Sequence, residues 1–163
     1  MAGLGIFTIA IDKYAQMLDF TKNRLFSVGL TANFIQAEMD NLPIETGIVD
    51  YAISNGVLHN AESVLQIQRA FCEIARILKP GGILLLNLFT NQVISSELTS
   101  TKHDSIWTTA DGISMVLLGP EEINRIFTLL LLSPITDPRE KIVDVETGRR
   151  SVYKTIVQKS GNQ

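Results

Sequence analysis

Apolar side chains recur in this chain with two alternating periods, and the switches between them mark its elements. Residues 48–53 (Ile-Val-Asp-Tyr-Ala-Ile) are rich in β-branched and aromatic types and run into Ser54, Asn55 and Gly56, which predicts a strand entering a tight turn. From Ala61 on, Val64, Ile67, Phe71, Ile74, Ala75 and Leu78 recur at three- and four-residue spacing, with Glu62, Gln66, Arg69, Glu73 and Arg76 on the other side. That spacing predicts an amphipathic helix. It stops at Lys79-Pro80-Gly81-Gly82, where proline cannot continue a helix and glycine permits a sharp reversal. Residues 83–89 follow without polar alternation, as expected of a strand covered on both faces in a parallel sheet flanked by helices. Strand, turn, helix and strand make a right-handed βαβ crossover, which places the chain in the α/β class.

The flanking segments extend this order. Residues 6–11 read as a strand ending on Asp12, followed at once by a helix with Tyr14, Leu18, Thr21, Leu25 and Val28 on one face and Gly29 closing it. Residues 33–37 read as another short strand. Periodicity fails over 90–118, predicting a long polar loop whose last residues, 113–118, rejoin the body. Gly119, Pro120, Glu121 and Glu122 open a helix with acids at its positive end, and Ile123, Ile126, Phe127, Leu130 and Leu131 form its apolar stripe. Residues 141–145 and 151–157 flank Thr147-Gly148-Arg149-Arg150, which predicts a closing antiparallel hairpin. We therefore expect one domain over 1–159 and a flexible tail at 160–163.

Composition narrows the partners. The 163 residues are 45% hydrophobic and 19% charged with a net charge of −3, so no general binding of nucleic acid or of a membrane surface is expected. The single cysteine, Cys72, lies on the central helix, fits a reducing compartment and reads more simply as a buried free thiol than as a nucleophile. The apolar N-terminus lacks the basic flank and length of a signal peptide, and the run around Leu129 is too short to span a bilayer, so a soluble, cytoplasmic protein is expected. No cluster of metal-ligand type is present in the sequence.

Some single residues could carry chemistry. Asp12 stands at a strand tip before a helix, where a carboxylate can accept from both hydroxyls of a ribose or can simply cap the helix; position alone leaves both open. Met39 beside a strand end reads by position as packing. His59 after Val57-Leu58 could act on a substrate or serve the structure.

The wording of the central unit adds to this. Val49-Asp50, then Ser54-Asn55-Gly56-Val57-Leu58-His59, then Glu73-Ile74-Ala75-Arg76-Ile77-Leu78-Lys79-Pro80-Gly81-Gly82 and an apolar strand resemble the class I S-adenosylmethionine (SAM)-dependent methyltransferases, above all their small type 11 domains. The resemblance implies a Rossmann-like three-layer fold, a mostly parallel sheet with a C-terminal antiparallel hairpin. It implies SAM as cofactor and a small-molecule acceptor. By the same likeness Asp12 takes the ribose with Lys13 and Met17 beside it, and Glu38 and Met39 meet the adenine. Ser54, Asn55 and Gly56 then floor the methionine end with His59 close behind. His59 and His103 are the catalytic candidates, and His103, Asp104 and Trp107 the acceptor-side ones.

The resemblance begins at the family's second strand and lacks the first strand with its glycine-rich loop, so an N-terminally truncated domain is expected. Two expectations follow, both with weak cofactor binding and an activity impaired by the truncation: a second strand closed up against the fourth, or a gap filled by a partner, with a homodimer through the incomplete sheet as one form. The alternative function is a non-catalytic methyltransferase-like relic serving as an interaction or dimerisation module. A nicotinamide-dependent dehydrogenase shares the ribose carboxylate but not the Lys-Pro-Gly-Gly segment or the closing hairpin.

Overall fold

The computed structural model describes residues 2–101, 105–146 and 148–161, and the chain divides into two compact units, Met1–Pro43 and Ile44–Gln163. The first holds β1 (Ile9–Asp12), α1 (Ala15–Phe26) and β2 (Asn33–Gln36). Its strands pair in parallel, with Ile9 opposite Asn33 and Asp12 opposite Gln36. β1 starts later than the sequence suggests and includes Asp12 itself. On α1 only Leu18 of the expected stripe is buried, Thr21 and Leu25 are half-buried, and Tyr14 and Val28 are exposed. Gly29 takes the left-handed conformation that ends the helix, and Leu30 N–H donates back to Leu25 O at 2.9 Å.

The second unit is built on one long strand. β3 (Val49–Asn55) leads through a short 3-10 turn at Leu58–Asn60 to α2 (Val64–Ile77), and β4 (Leu78–Ile94) follows directly. Ser63 caps α2 by accepting from Gln66 N–H at 3.1 Å. The Lys-Pro-Gly-Gly segment does not separate helix from strand; it is taken up inside β4. Val49 pairs with Leu78 and Tyr51 with Ile83, so the extra residues bulge out of the ladder. Gly82 is required there, since a Cβ would meet Lys79 O at 2.9 Å and Val49 O at 3.1 Å.

Beyond β4 come β5 (Thr99–Ser100), β6 (Ile106–Thr108), β7 (Ser114–Val116), α3 (Pro120–Leu129), β8 (Leu132–Pro134), β9 (Arg139–Val145) and β10 (Gly148–Lys159). The stretch expected to be a loop thus holds the end of β4 and a small antiparallel sheet, β5-β6-β7. The main sheet runs β3-β4-β10-β8, with β9 also paired to β10.

Two fold expectations need correction. The sheet is not mostly parallel: β3·β4 is its one parallel pair among the described residues, while β10 runs antiparallel to β4, β8 and β9. The apolar run in β4 is also not covered on both faces. Leu84, Leu86 and Leu88 are buried, as are their β10 partners Val157, Thr155 and Tyr153. The opposite face leaves Tyr51 52%, Ile53 55% and Leu85 37% exposed. The buried stripes of α2 and α3 meet where Phe71 and Phe127 pack edge to face, ring centres 6.0 Å apart. Cys72, on the outward side of α2, is exposed rather than buried. Among the described residues no helix is long and apolar enough to cross a membrane.

Candidate functional site

In the first unit, parallel pairing brings Asp12 and Glu38 to the same end. Asp12 closes β1 opposite Gln36, and Glu38 lies two residues past that partner. Asp12 Oδ1 accepts from Tyr14 N–H at 2.9 Å, a turn bond that uses one oxygen just before α1, whose N-cap is Tyr14 and carries no side-chain cap bond. Among the described residues no hydrogen bond reaches Oδ2, which leaves a half-buried carboxylate able to accept from a hydroxyl. Gln36 Nε2 donates to Lys13 O at 3.0 Å and ties the two strand tips together. Lys13 holds its ammonium 5.2 Å from the Tyr14 ring centre. Met17 is half exposed on α1, Glu38 is exposed, and Met39 is half-buried.

In the second unit, β3 delivers Ser54 and Asn55 to opposite faces of the sheet, as alternation demands. Ser54 goes to the buried face, in a row with Leu86 and Thr155, and its Oγ has no partner among the described residues. Asn55 lies on the other face, where its Oδ1 accepts from Asn87 Nδ2 at 2.6 Å. Gly56 turns the chain with φ +73°, and its N–H donates to Asn87 O at 2.8 Å. Asn60 Nδ2 donates to Gly56 O at 3.1 Å across the turn. His59 is buried, stacked on Phe89 with ring centres 4.2 Å apart, and its Nδ1 accepts from Phe89 N–H at 3.2 Å. Burial, helped by the Arg150 guanidinium, pulls its pKa down to about 4. The neutral ring therefore carries its proton on Nε2 and is no proton carrier near neutral pH.

The small sheet contributes the apolar cluster of Leu98, Met115 and Leu117, against which Phe89, Ile94 and Trp107 pack. Trp107 is half-buried, and its Nε1–H is buried without a partner among the described residues. The other two acceptor-side candidates, His103 and Asp104, lie outside the described residues, as does His103 as a catalytic candidate. Sequence reasoning missed Arg150. It looked like a turn residue next to Arg149, yet it is fully buried on β10, donating from Nη1 to Arg149 O at 2.9 Å. Only the position of β10 distinguishes the two arginines. Also unforeseen is Glu140 on β9, which accepts from Thr90 Oγ1 at 2.6 Å and Ser151 Oγ at 2.7 Å. Burial and this carboxylate together raise the pKa of Tyr153. Among the described residues there is no metal-binding cluster.

Comparison with known proteins bears on what these groups serve. Residues 1–86, just over half of the chain, match the family described as Methyltransferase domain. The ubiquinone/menaquinone biosynthesis C-methyltransferase UbiE of Campylobacter jejuni (strain 81116) is 36% identical over 83 residues, 50% of this chain and 32% of that protein. The chain thus spans about a third of the length of the curated relatives it matches. Among solved structures, a SAM-dependent methyltransferase from Methanosarcina mazei superposes with a TM-score of 0.82 at 18% identity, covering 99% of this chain and 85% of that one. The PH0226 protein of Pyrococcus horikoshii gives 0.75 at 16% identity, covering 97% and 74%. At those identities the likeness is one of fold, a Rossmann-like α/β arrangement.

Proposed function

This chain belongs to the methyltransferase-domain family, and from that premise we propose that it binds SAM and passes the methyl group to a small-molecule acceptor. The observation that carries the reading is the turn at 55–60, cross-bonded to β4 where the parallel pair β3·β4 ends, the end at which open α/β sheets take their ligands. Bound SAM supplies a methyl group already activated on a sulfonium, so the chain's own task is to hold, align and exclude water.

The candidate residues of each unit, taken separately, would serve that task as follows. In the first unit, Asp12 Oδ2 accepts from a ribose hydroxyl, Glu38 from the adenine amino group, and Lys13, Met17 and Met39 border them. In the second, Asn55 and Gly56 meet the methionine end through a turn whose backbone is already fixed. Ser54 contributes its backbone there, since its side chain lies on the core face. The cluster under Trp107 keeps water from the acceptor, and Trp107 borders the acceptor side. No general base is needed from His59. Titration calorimetry with SAM and with its demethylated product tests the reading: micromolar binding of both supports it, and no heat with either removes it.

One observation favours a second reading, an interaction or dimerisation module. β3 is paired on one side only among the described residues and exposes Tyr51 and Ile53. Light scattering across a concentration series checks this, and a monomer at every concentration argues against it.

A further inference from the structure

The ladder between β3 and β4 ends at Asn55 opposite Asn87, yet β4 continues. On that edge of β4 the groups facing β3 are Asn87 O and, two residues on, Phe89 N–H. Asn87 O still receives a strand-like bond from Gly56 N–H at 2.8 Å. Phe89 N–H would next need a carbonyl that β3 no longer supplies, because Gly56 with φ +73° has turned the chain away. The atom it meets instead is His59 Nδ1, at 3.2 Å. The imidazole lies on the Phe89 ring with an interplanar angle of 29° and is 4% exposed, which holds the acceptor in place.

We propose that His59 is a positioning residue whose Nδ1 stands in for the missing strand carbonyl and thereby fixes the 55–60 turn against β4. The proposal rests on the function assigned above, in which that turn receives the methionine end of SAM. It separates His59 from roles played through Nε2, such as direct contact with a ligand or proton transfer. The ring also spans two parts of the unit: Phe89, which it stacks on, packs into the cluster of the small sheet. Fixing the turn therefore fixes it relative to the acceptor-side cluster. The charged neighbour of His59 is Arg150 from β10, and both that charge and burial favour the neutral ring the role requires.

The two ring nitrogens can be told apart by substitution. In H59N the amide Oδ1 occupies the place of Nδ1; in H59Q the longer side chain places its amide near Nε2; H59F keeps the stack and offers no acceptor. Calorimetry with SAM on the full chain is expected to show H59N within about threefold of the native affinity. H59Q and H59F should be weaker by about tenfold, the range for leaving a buried donor unpaired. Rescue by H59Q and not by H59N, or native affinity in all three, overturns the proposal.

A second measurement on the native chain needs neither SAM nor a variant that folds. Long-range proton–nitrogen correlation should show Nδ1 as the bare nitrogen and Nε2 as the protonated one, with no titration between about pH 5.5 and 8. The opposite tautomer, or a midpoint near the ordinary histidine value of about 6.5, overturns it. A native chain that binds no SAM yet shows the expected tautomer sinks the assigned function and leaves the ladder closure standing.

Discussion

The two parallel strand pairs among the described residues end in very different surroundings. β1 and β2 are four residues each, α1 buries only Leu18, and the carboxylates of Asp12 and Glu38 stay half-buried or exposed. β3 and β4 sit under α2, which buries Ile67, Ala70, Phe71, Ile74, Ala75 and Ile77, and their end is cross-bonded through Asn55, Gly56 and His59. The contrast shows that parallel strand ends within one chain can be finished by opposite means. The end of β3·β4 is fixed by internal hydrogen bonds, whereas the end of β1·β2 keeps its carboxylates within reach of solvent.

The contrast can be broken first at its packed side. Phe71→Ala removes the ring that meets Phe127 edge to face and should cost about 3–5 kcal/mol in chemical denaturation. A loss under about 1 kcal/mol would mean that α2 does not anchor the β3·β4 pair.

Acid should act next. His59 titrates near 4 when folded and near 6.5 when unfolded, so the unfolded chain binds the extra proton between those values. Its contribution is fully present above about pH 6.5 and is lost as pH falls toward 4, by about 3 kcal/mol at most. Following the denaturation midpoint across that window in the native chain and in H59N checks it: the native slope should be the steeper.

Gly82→Ala forces a methyl against Lys79 O and Val49 O within the β4 bulge and should cost about 1–3 kcal/mol by thermal melting. A neutral substitution would show that the bulge can relax. Smallest in stability is Asp12→Asn, which keeps an oxygen for Tyr14 N–H and should shift stability by less than about 0.5 kcal/mol. The same change should weaken SAM by about tenfold, measured by calorimetry. A large stability loss with unchanged affinity would make Asp12 a structural turn residue and nothing more.

How far the sequence could reveal this depends on what each feature rests upon. α2 was readable because its apolar stripe is local, and the closing hairpin because two alternating runs flank a glycine. Asp12 at a strand tip was readable in position, while its bond to Tyr14 N–H is a local turn and not the helix cap that the position also allowed. The open face of β4 was not readable. Tyr51, Ile53 and Leu85 are apolar whether or not anything covers them. β5, β6 and β7 are two or three residues long, too short for any period to register. The Nδ1 bond of His59 and the burial of Arg150 are set by residues 30 or more positions away in sequence, which no local pattern encodes.

β10 has a further consequence, for the order in which the protein can be made. Its 12 residues supply the partner on one side of β4 and the shared partner of β8 and β9. A ribosome adding about 5–20 residues per second releases β4 some seconds before it releases β10. During that interval β4, the longest strand among the described residues, has a bare flank until β10 emerges.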